Sequence, residues 1–212
     1  MVENRRVYIG VIGGLCMKML MMLGSSQWMP TLYHRQFGWS LTRVGLITGS
    51  VALVVAPISM IIGSKISEGW MKRGRGDANM RIMLYVLLCT VPLYCVAPLM
   101  PSPWLVLGCN SVALALNSLG MGPGAASFQI ITPGRMRAQV SSVYQFSTHV
   151  IALALGPLIV ALFTDYLFGG PQHLRYSIAL NVAVMGPITI LLVWQGLKPY
   201  GRAIERAQRE GY

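Results

Sequence analysis

The chain has 212 residues, of which 54% are hydrophobic and 11% are charged, and its mean hydropathy is +0.57. This charged fraction is less than half the ~25% that is usual in soluble globular domains, so the composition indicates a membrane protein. With ~20 residues for each span plus connecting loops, the length allows about six transmembrane helices. The chain is therefore too long for a single-span receptor and too short for twelve spans.

Six apolar stretches follow one another between polar or Pro/Gly-rich breaks. They cover residues 7–28, 41–63, 82–100, 104–128, 140–163 and 176–197. Each is long enough to cross a hydrocarbon core of ~30 Å. The sequence thus predicts an all-α membrane protein with six transmembrane helices over residues 1–197, followed by a basic cytoplasmic tail over residues 198–212.

The basic residues lie mostly on one side of this predicted topology. Thirteen fall on the side of the termini: Arg5, Arg6, Lys65, Lys72, Arg73, Arg75, Arg81, Arg135, Arg137, Lys198, Arg202, Arg206 and Arg209. Three fall on the other side: Arg35, Arg43 and Arg175. By the positive-inside rule both termini are cytoplasmic, and the protein is expected in the plasma (inner) membrane. The net charge of +11 is thereby explained without a nucleic-acid partner.

A weak internal repeat agrees with an even number of spans. Ala56-Pro57 in the second span and Gly156-Pro157 in the fifth lie one hundred residues apart. In the predicted topology these two spans cross the membrane in opposite directions. The sequence therefore predicts two inverted three-helix units, an arrangement common in secondary transporters.

A lysine lies near the middle of the first predicted span. Lys18 is eleven residues past Val7, and Ser25 lies two helical turns further along the same face. A central lysine costs ~2.5–3.5 kcal/mol on insertion scales, so it usually faces protein or a water-filled cavity. Two interpretations remain open: a cavity cation that attracts an anionic solute or assists proton coupling, and a lysine that reaches an interface or pairs structurally.

Polar residues also line the fourth and fifth predicted spans. Asn110 and Asn117 are seven residues apart and serve either as substrate contacts or as hydrogen bonds between helices. In the fifth span, Tyr144 and Gln145 accompany His149, which is either a proton relay or a neutral structural histidine. The third and sixth spans carry few polar residues and are therefore expected to be peripheral.

Two stretches carry a resemblance to a known family. Between the second and third spans, Gly63 is followed by the acid Glu68 and by the basic cluster Lys72, Arg73 and Arg75. This pattern resembles the cytoplasmic signature of the major facilitator superfamily, in the loop of its C-terminal six-helix half. The segment from Gly122-Pro123 through Gly156-Pro157 to Asp165 is similar to the tenth and eleventh helices of Spinster-like and organic anion:cation symporter-like transporters.

The resemblance implies a secondary transporter that moves a small polar solute by alternating access. Symport with protons or Na⁺ would drive it, and Lys18 favours an anionic solute. In this family the first, second, fourth and fifth helices of each half line or flank the pathway, while the third and sixth face lipid. The loop from Gly63 to Arg75 would act in gating, although a purely topogenic basic loop remains the alternative. No enzyme activity, covalent chemistry, cofactor or metal is predicted.

Two other interpretations bear on function. An intramembrane serine protease would need a supported nucleophile, but Ser111 is followed by Val112 and lacks a Gly-x-Ser-Gly motif. A lone six-helix half would leave its polar faces without the rest of the cavity. We therefore expect, besides the lipid bilayer, a second six-helix half or a second copy as partner. The alternative is a truncated or non-transporting fragment that pairs with another membrane subunit.

Overall fold

The computed structural model describes residues 13–73, 78–122 and 137–209, with only the backbone described for 198–209 and for parts of 137–147. Six α-helices lie in these residues. They are α1 (Gly14–Phe37), α2 (Leu41–Lys72), α3 (Ala78–Val96), α4 (Pro103–Leu119), α5 (Arg137–Leu162) and α6 (Leu174–Arg209). A short 3₁₀ turn follows α3 at Ala97–Leu99 and another precedes α6 at Pro171–His173, while a π-helical turn follows α5 at Phe163–Leu167.

Four of the helical segments are long and apolar enough to cross a membrane. They are Leu41–Lys72, Ala78–Leu99, Thr148–Leu167 and Pro171–Leu197. Helix α4 is apolar but has only 17 residues, and the predicted remainder of that span, residues 123–128, lies outside the described residues. Helix α1 has 24 residues but is more polar, and residues 7–12 of its predicted span also lie outside the described part. The described residues thus confirm an all-helical membrane protein with four candidate spans.

Several helices continue well beyond the predicted spans. Helix α2 has 32 residues, about 48 Å at 1.5 Å per residue, and ends at Lys72 rather than at residue 63. Helix α6 continues through the predicted tail to Arg209. Hydropathy measures only the apolar part of a helix, whereas backbone hydrogen bonding continues through polar residues that favour helix, such as lysine and glutamate.

The turn between α1 and α2 has clear local signals. Gly38 ends α1 in the left-handed conformation with φ +67°, which favours glycine, and its N–H bonds the carbonyl of His34 at 3.1 Å. The Ser40 hydroxyl then accepts the backbone N–H of Arg43 at 3.2 Å and caps α2. Only three residues separate the two helices, so they run in opposite directions.

The helices pack in pairs that follow a symmetric scheme. Helix α1 packs mainly on α5 and α6, α2 packs on α4, and α3 packs on α6 and α4. If α1 is exchanged with α4, α2 with α5 and α3 with α6, the same set of packed pairs results. Such pairing is what two repeated three-helix units would produce.

Glycines permit the two equivalent helix crossings. A Cβ on Gly24 of α1 would lie 2.8 Å from the carbonyl oxygen of Gly156 on α5. A Cβ on Gly63 of α2 would collide with the carbonyl of Leu119 at the end of α4. Backbone is in direct contact with backbone at both crossings, as is common where small residues mediate helix association in membranes.

Burial differs among the helices in an unexpected way. Only 6% of the apolar stretch of α2 and 22% of that of α5 are buried, against 44% for α3 and for α6. The sparse polar residues of the third and sixth spans had indicated peripheral helices. Within this chain, however, α3 and α6 are more enclosed, because they pack on each other and on α4 and α1, and their polar residues Thr90 and Asn181 are buried.

We predict that Gly63→Ala lowers the stability of the bundle by about 1–3 kcal/mol, because an added methyl group must push α2 away from the Leu119 carbonyl. The midpoint of thermal unfolding in detergent measures the effect. Gly69→Ala on the same helix is the matched control, since its Cβ meets no atom within 4 Å. Equal midpoints for both variants would show that the α2–α4 crossing does not require glycine.

Candidate substrate pathway

Two asparagines of α4 reach across to two methionines of α1. Asn117 Nδ2 lies 2.7 Å from Met22 Sδ, and Asn110 Nδ2 lies 3.8 Å from Met29 Sδ. The two methionines are seven residues apart, and so are the two asparagines. The earlier methionine contacts the later asparagine, so the two helices run antiparallel here. Because long side chains make these contacts, the backbones of α1 and α4 stand further apart than at the glycine crossings.

Asn117 is left with an unused acceptor. Its side chain is only 4% exposed, and its Oδ1 has no hydrogen-bond partner. A buried amide oxygen without a partner typically costs about 1–3 kcal/mol. This oxygen would accept a hydrogen bond from a donor that reached it, and the buried Oδ1 of Asn181 lacks a partner in the same way.

Lys18 lies one turn before Met22 and two turns before Ser25 on α1. It is half-buried, and its ammonium group has no hydrogen-bond or ion-pair partner in the described part of the chain. Its position places it on the side of α1 that contacts α4 and α6, away from the exposed Ser26 and Gln27.

Ser25 belongs to a buried contact between α1 and α6. Asn181 Nδ2 donates to the Ser25 hydroxyl at 3.2 Å and to the Met21 carbonyl at 3.3 Å. Hydrogen bonds from Asn and Ser are common between membrane helices. Ser25 is thus placed as a helix contact, and Asn181 is a residue that the sequence analysis left in a peripheral span.

On α5 the polar residues predicted for the pathway lie on a different face from the helix contact. Ala152 and Gly156 are buried toward α1, whereas Gln145 and His149 are exposed. His149 Nδ1 lies 2.8 Å from the Gln145 carbonyl oxygen, which can only accept. The neutral ring therefore carries its proton on Nδ1 and has a free lone pair on Nε2. The side chain of Tyr144 lies outside what the structure describes.

Two further contacts join α1 to α5. The indole Nε1 of Trp28 donates to the Pro157 carbonyl at 3.0 Å, and Cys16 Sγ lies 3.3 Å from Thr148 Oγ1. With the Gly24–Gly156 crossing between them, they fix α1 on α5 along three turns. Sequence reasoning missed the Trp28 contact, for which the one available signal was an indole near the end of a predicted span.

The residues assigned to a gating loop lie on a helix. Gly63, Glu68 and Lys72 all belong to α2, and Arg73 follows at its C-terminus. Glu68, Lys72 and Arg73 are exposed, and Arg75 lies outside the described residues. The prediction of a loop was wrong for the first three, because α2 does not end where its apolar part ends.

A hydrogen bond joins the two helices that flank this basic segment. The Ser67 hydroxyl donates to Asn79 Oδ1, and both side chains are buried. The indole of Trp70 also contacts the Tyr85 ring edge to face, with 6.3 Å between centroids. The end of α2 is therefore held against the start of α3 while the charged side chains point outward.

Among the predicted site residues, the structure brings only some together. Asn117 contacts Met22, which lies one turn from Lys18 on α1, and Asn110 contacts Met29 further along the same two helices. No hydrogen bond in the described residues joins Gln145 or His149 to this group. The group between α1 and α4 and the exposed face of α5 are thus separate parts of any pathway.

Comparison with known proteins places this fold. The sequence model of the Major Facilitator Superfamily matches residues 1–157. No curated protein matches the sequence. The fold is similar to that of a bacterial homolog to the human lysosomal transporter Spinster, in its inward-facing, unoccupied conformation. The TM-score is 0.63 and the sequence identity is 17%, and the match covers 97% of this chain and 49% of the homolog.

The occupied, inward-facing structure of such a homolog gives TM-score 0.64 and 18% identity over 94% of this chain and 49% of that chain. The chain thus spans about half the length of the solved structures that it matches. Because the family model covers well over half of its residues, this chain belongs to the Major Facilitator Superfamily, which comprises transporters and not enzymes.

Proposed function

We propose that the chain forms one six-helix half of a secondary transporter, the C-terminal one, and that it moves a small polar organic solute by alternating access. Family membership and a length of about half the solved structures support this proposal. The pairing of the helices, unchanged on exchange of the two three-helix sets, agrees with two inverted units in this half.

The observation that carries the proposal is the pair of unpaired groups on the two facing helices: the acceptor of Asn117 on α4, and the cation of Lys18 on α1, one turn from the Met22 that Asn117 contacts. An ammonium group can hold a carboxylate or phosphate, while an amide oxygen accepts a hydrogen bond from a hydroxyl or amine. A solute with both kinds of group would satisfy both residues at once. This chemistry favours an anionic solute that also carries a hydrogen-bond donor.

We expect Lys18→Met and Asn117→Leu each to reduce uptake of such a solute into proteoliposomes by at least tenfold. Each change removes the polar group but keeps a similar side-chain volume. Purified protein is assayed with a panel of organic anions and sugars. Lys65→Met, an exposed cation on α2, is the control and should transport like the parent.

Thermal unfolding in the presence of each solute separates binding from transport. A bound solute raises the unfolding midpoint of the parent, and the two pathway variants should lose this rise. If solutes stabilise the parent but are not taken up, the chain binds them without transporting alone. If both variants bind and transport like the parent, the assignment of Lys18 and Asn117 is wrong.

His149 is proposed as the proton-coupling residue. Its ring is exposed on α5, and its Nε2 is free to accept a proton. His34 provides a close comparison, because its Nδ1 also lies 3.0 Å from a backbone carbonyl, that of Trp39, at the end of α1.

We expect uptake by His149→Gln to lose its response to an imposed pH gradient, because glutamine cannot take up a proton. His34→Gln should keep the response of the parent. Uptake is measured with and without the pH gradient, and separately with a Na⁺ gradient. A parent that responds to Na⁺ alone would assign the coupling to Na⁺ and remove the role of His149.

A partner for this half is proposed to pack on the exposed faces of α2 and α5. Leu53 on α2 is 77% exposed and Leu153 on α5 is 56% exposed. Gly45 and Gly49 are exposed on α2 four residues apart, and a Cβ on either would meet nothing within 4 Å. This small-xxx-small pattern permits close approach of another helix. We infer that the occupant is a second six-helix unit, either an unlike half or a second copy.

We expect differently tagged copies of the chain to co-purify from lipid nanodiscs, and Gly49→Leu to reduce the co-purified fraction at least fivefold. Gly108→Leu is the control, since Gly108 is exposed on α4 with no atom near its Cβ position. A parent that is strictly monomeric would exclude the second copy and leave an unlike half. Equal loss in both variants would contradict the role of the α2 face.

A further inference from the structure

A cavity of about 260 Å³ lies between the end of α1 and the turn that leads into α6. Two arginines and two glutamines border it: Arg35 and Gln36 from α1, and Gln172 and Arg175 from the turn and the start of α6. The same cavity is lined by Leu32 and Leu174. Each water molecule takes up ~30 Å³ in the liquid, so the cavity has room for a phosphate or carboxylate group and part of its carrier.

The cavity has positive charge without compensation. Neither Arg35 nor Arg175 pairs with a carboxylate in the residues that the structure describes. Arg175 Nη2 donates to the Tyr176 hydroxyl at 2.7 Å, and its guanidinium lies 4.6 Å from the centroid of that ring. These contacts orient the guanidinium and leave further N–H donors free.

The walls of the cavity are already fixed. Leu32 and Leu174 belong to a buried cluster that also includes Tyr33 and Ile178. The turn before α6 is tied down by two backbone hydrogen bonds, Gly170 N–H to Thr164 O and His173 N–H to Gly170 O, both 3.1 Å. The apolar floor and the turn backbone of the site are therefore preformed, which lowers the entropic cost of binding, while Arg35, Gln36 and Gln172 are exposed side chains.

Arg35 alone has a simpler role. It lies in the last turn of α1, where a cation interacts favourably with the helix dipole. That role does not account for Arg175, which lies in the first turn of α6, where the dipole disfavours a cation. The predicted non-cytoplasmic side has only three basic residues, and two of them line this one cavity.

We propose that this cavity binds an oxyanion, a phosphate or carboxylate group, between the guanidinium groups of Arg35 and Arg175, with the two glutamines as neutral partners. Arginine suits this role because its planar fork binds such groups through two hydrogen bonds. The site lies apart from Lys18 and Asn117 and does not depend on the proposed transport.

The test compares the parent with the Arg35→Gln/Arg175→Gln double variant. Native mass spectrometry of protein released from nanodiscs counts retained phosphatidylglycerol against phosphatidylcholine. Calorimetry in purely phosphatidylcholine nanodiscs measures binding of inorganic phosphate and of succinate. Arg43→Gln is the matched control, because Arg43 is predicted on the same side of the membrane but does not line the cavity. Its guanidinium instead stacks on Trp39, 4.4 Å from the ring centroid.

We expect the double variant to bind the preferred anion at least tenfold more weakly than the parent, while Arg43→Gln is unchanged. Loss of phosphatidylglycerol only would identify a lipid headgroup as the ligand, and loss of phosphate or succinate binding would identify a free anion. If no probe distinguishes the double variant from Arg43→Gln, the proposal is overturned. Unfolding midpoints confirm that the variants are folded.

Discussion

The bundle depends on two places where helix backbones touch. At Gly24 and Gly156 the chains of α1 and α5 meet, and at Gly63 and Leu119 those of α2 and α4 meet. In a bilayer, apolar burial between helices yields little, because lipid tails are as apolar as leucine. Close approach with many dispersion contacts then becomes the main source of association, and glycine leaves space for it at both crossings. The other contacts, including Trp28 to Pro157 and Asn181 to Ser25, are possible because these crossings set the helix positions.

The candidate pathway lies where helices are joined by long side chains, next to helix pairs that are in direct backbone contact. Where α1 meets α5 there is no room between the helices, but α1 and α4 are bridged by methionine and asparagine side chains. Methionine is flexible and polarizable, so its contacts can be replaced at low cost. The polar groups between α1 and α4 therefore lie at a contact that costs less to separate than the glycine crossings.

The sequence was sufficient for the class of fold, an all-helical membrane protein, and four of the described helical segments are long and apolar enough to be spans. Apolar runs of about twenty residues are typical of membrane-crossing helices. The described helices overlap all six predicted apolar stretches. The residues at which the helices end were not predictable from hydropathy, since α2 continues through Ser64, Lys65 and Glu68 as regular helix. The facing of polar residues was also harder to predict. Asn181 and Asn117 both donate to α1 and both keep an Oδ1 without a partner, and which groups of α1 they meet depends on how the helices pack.

The unbroken length of α2 has a mechanical consequence. Its exposed charges at Glu68 and Lys72 belong to the same continuous helix as the apolar residues that begin at Leu41, with Pro57 inside it. A change in tilt of about 10° would move one end of this helix, about 48 Å long, by roughly 8 Å relative to the other. The bond between Ser67 and Asn79 would pass part of that displacement to α3. A small rotation within the bilayer would therefore sweep the charges at the end of α2 across the membrane surface, with no need for any segment to refold.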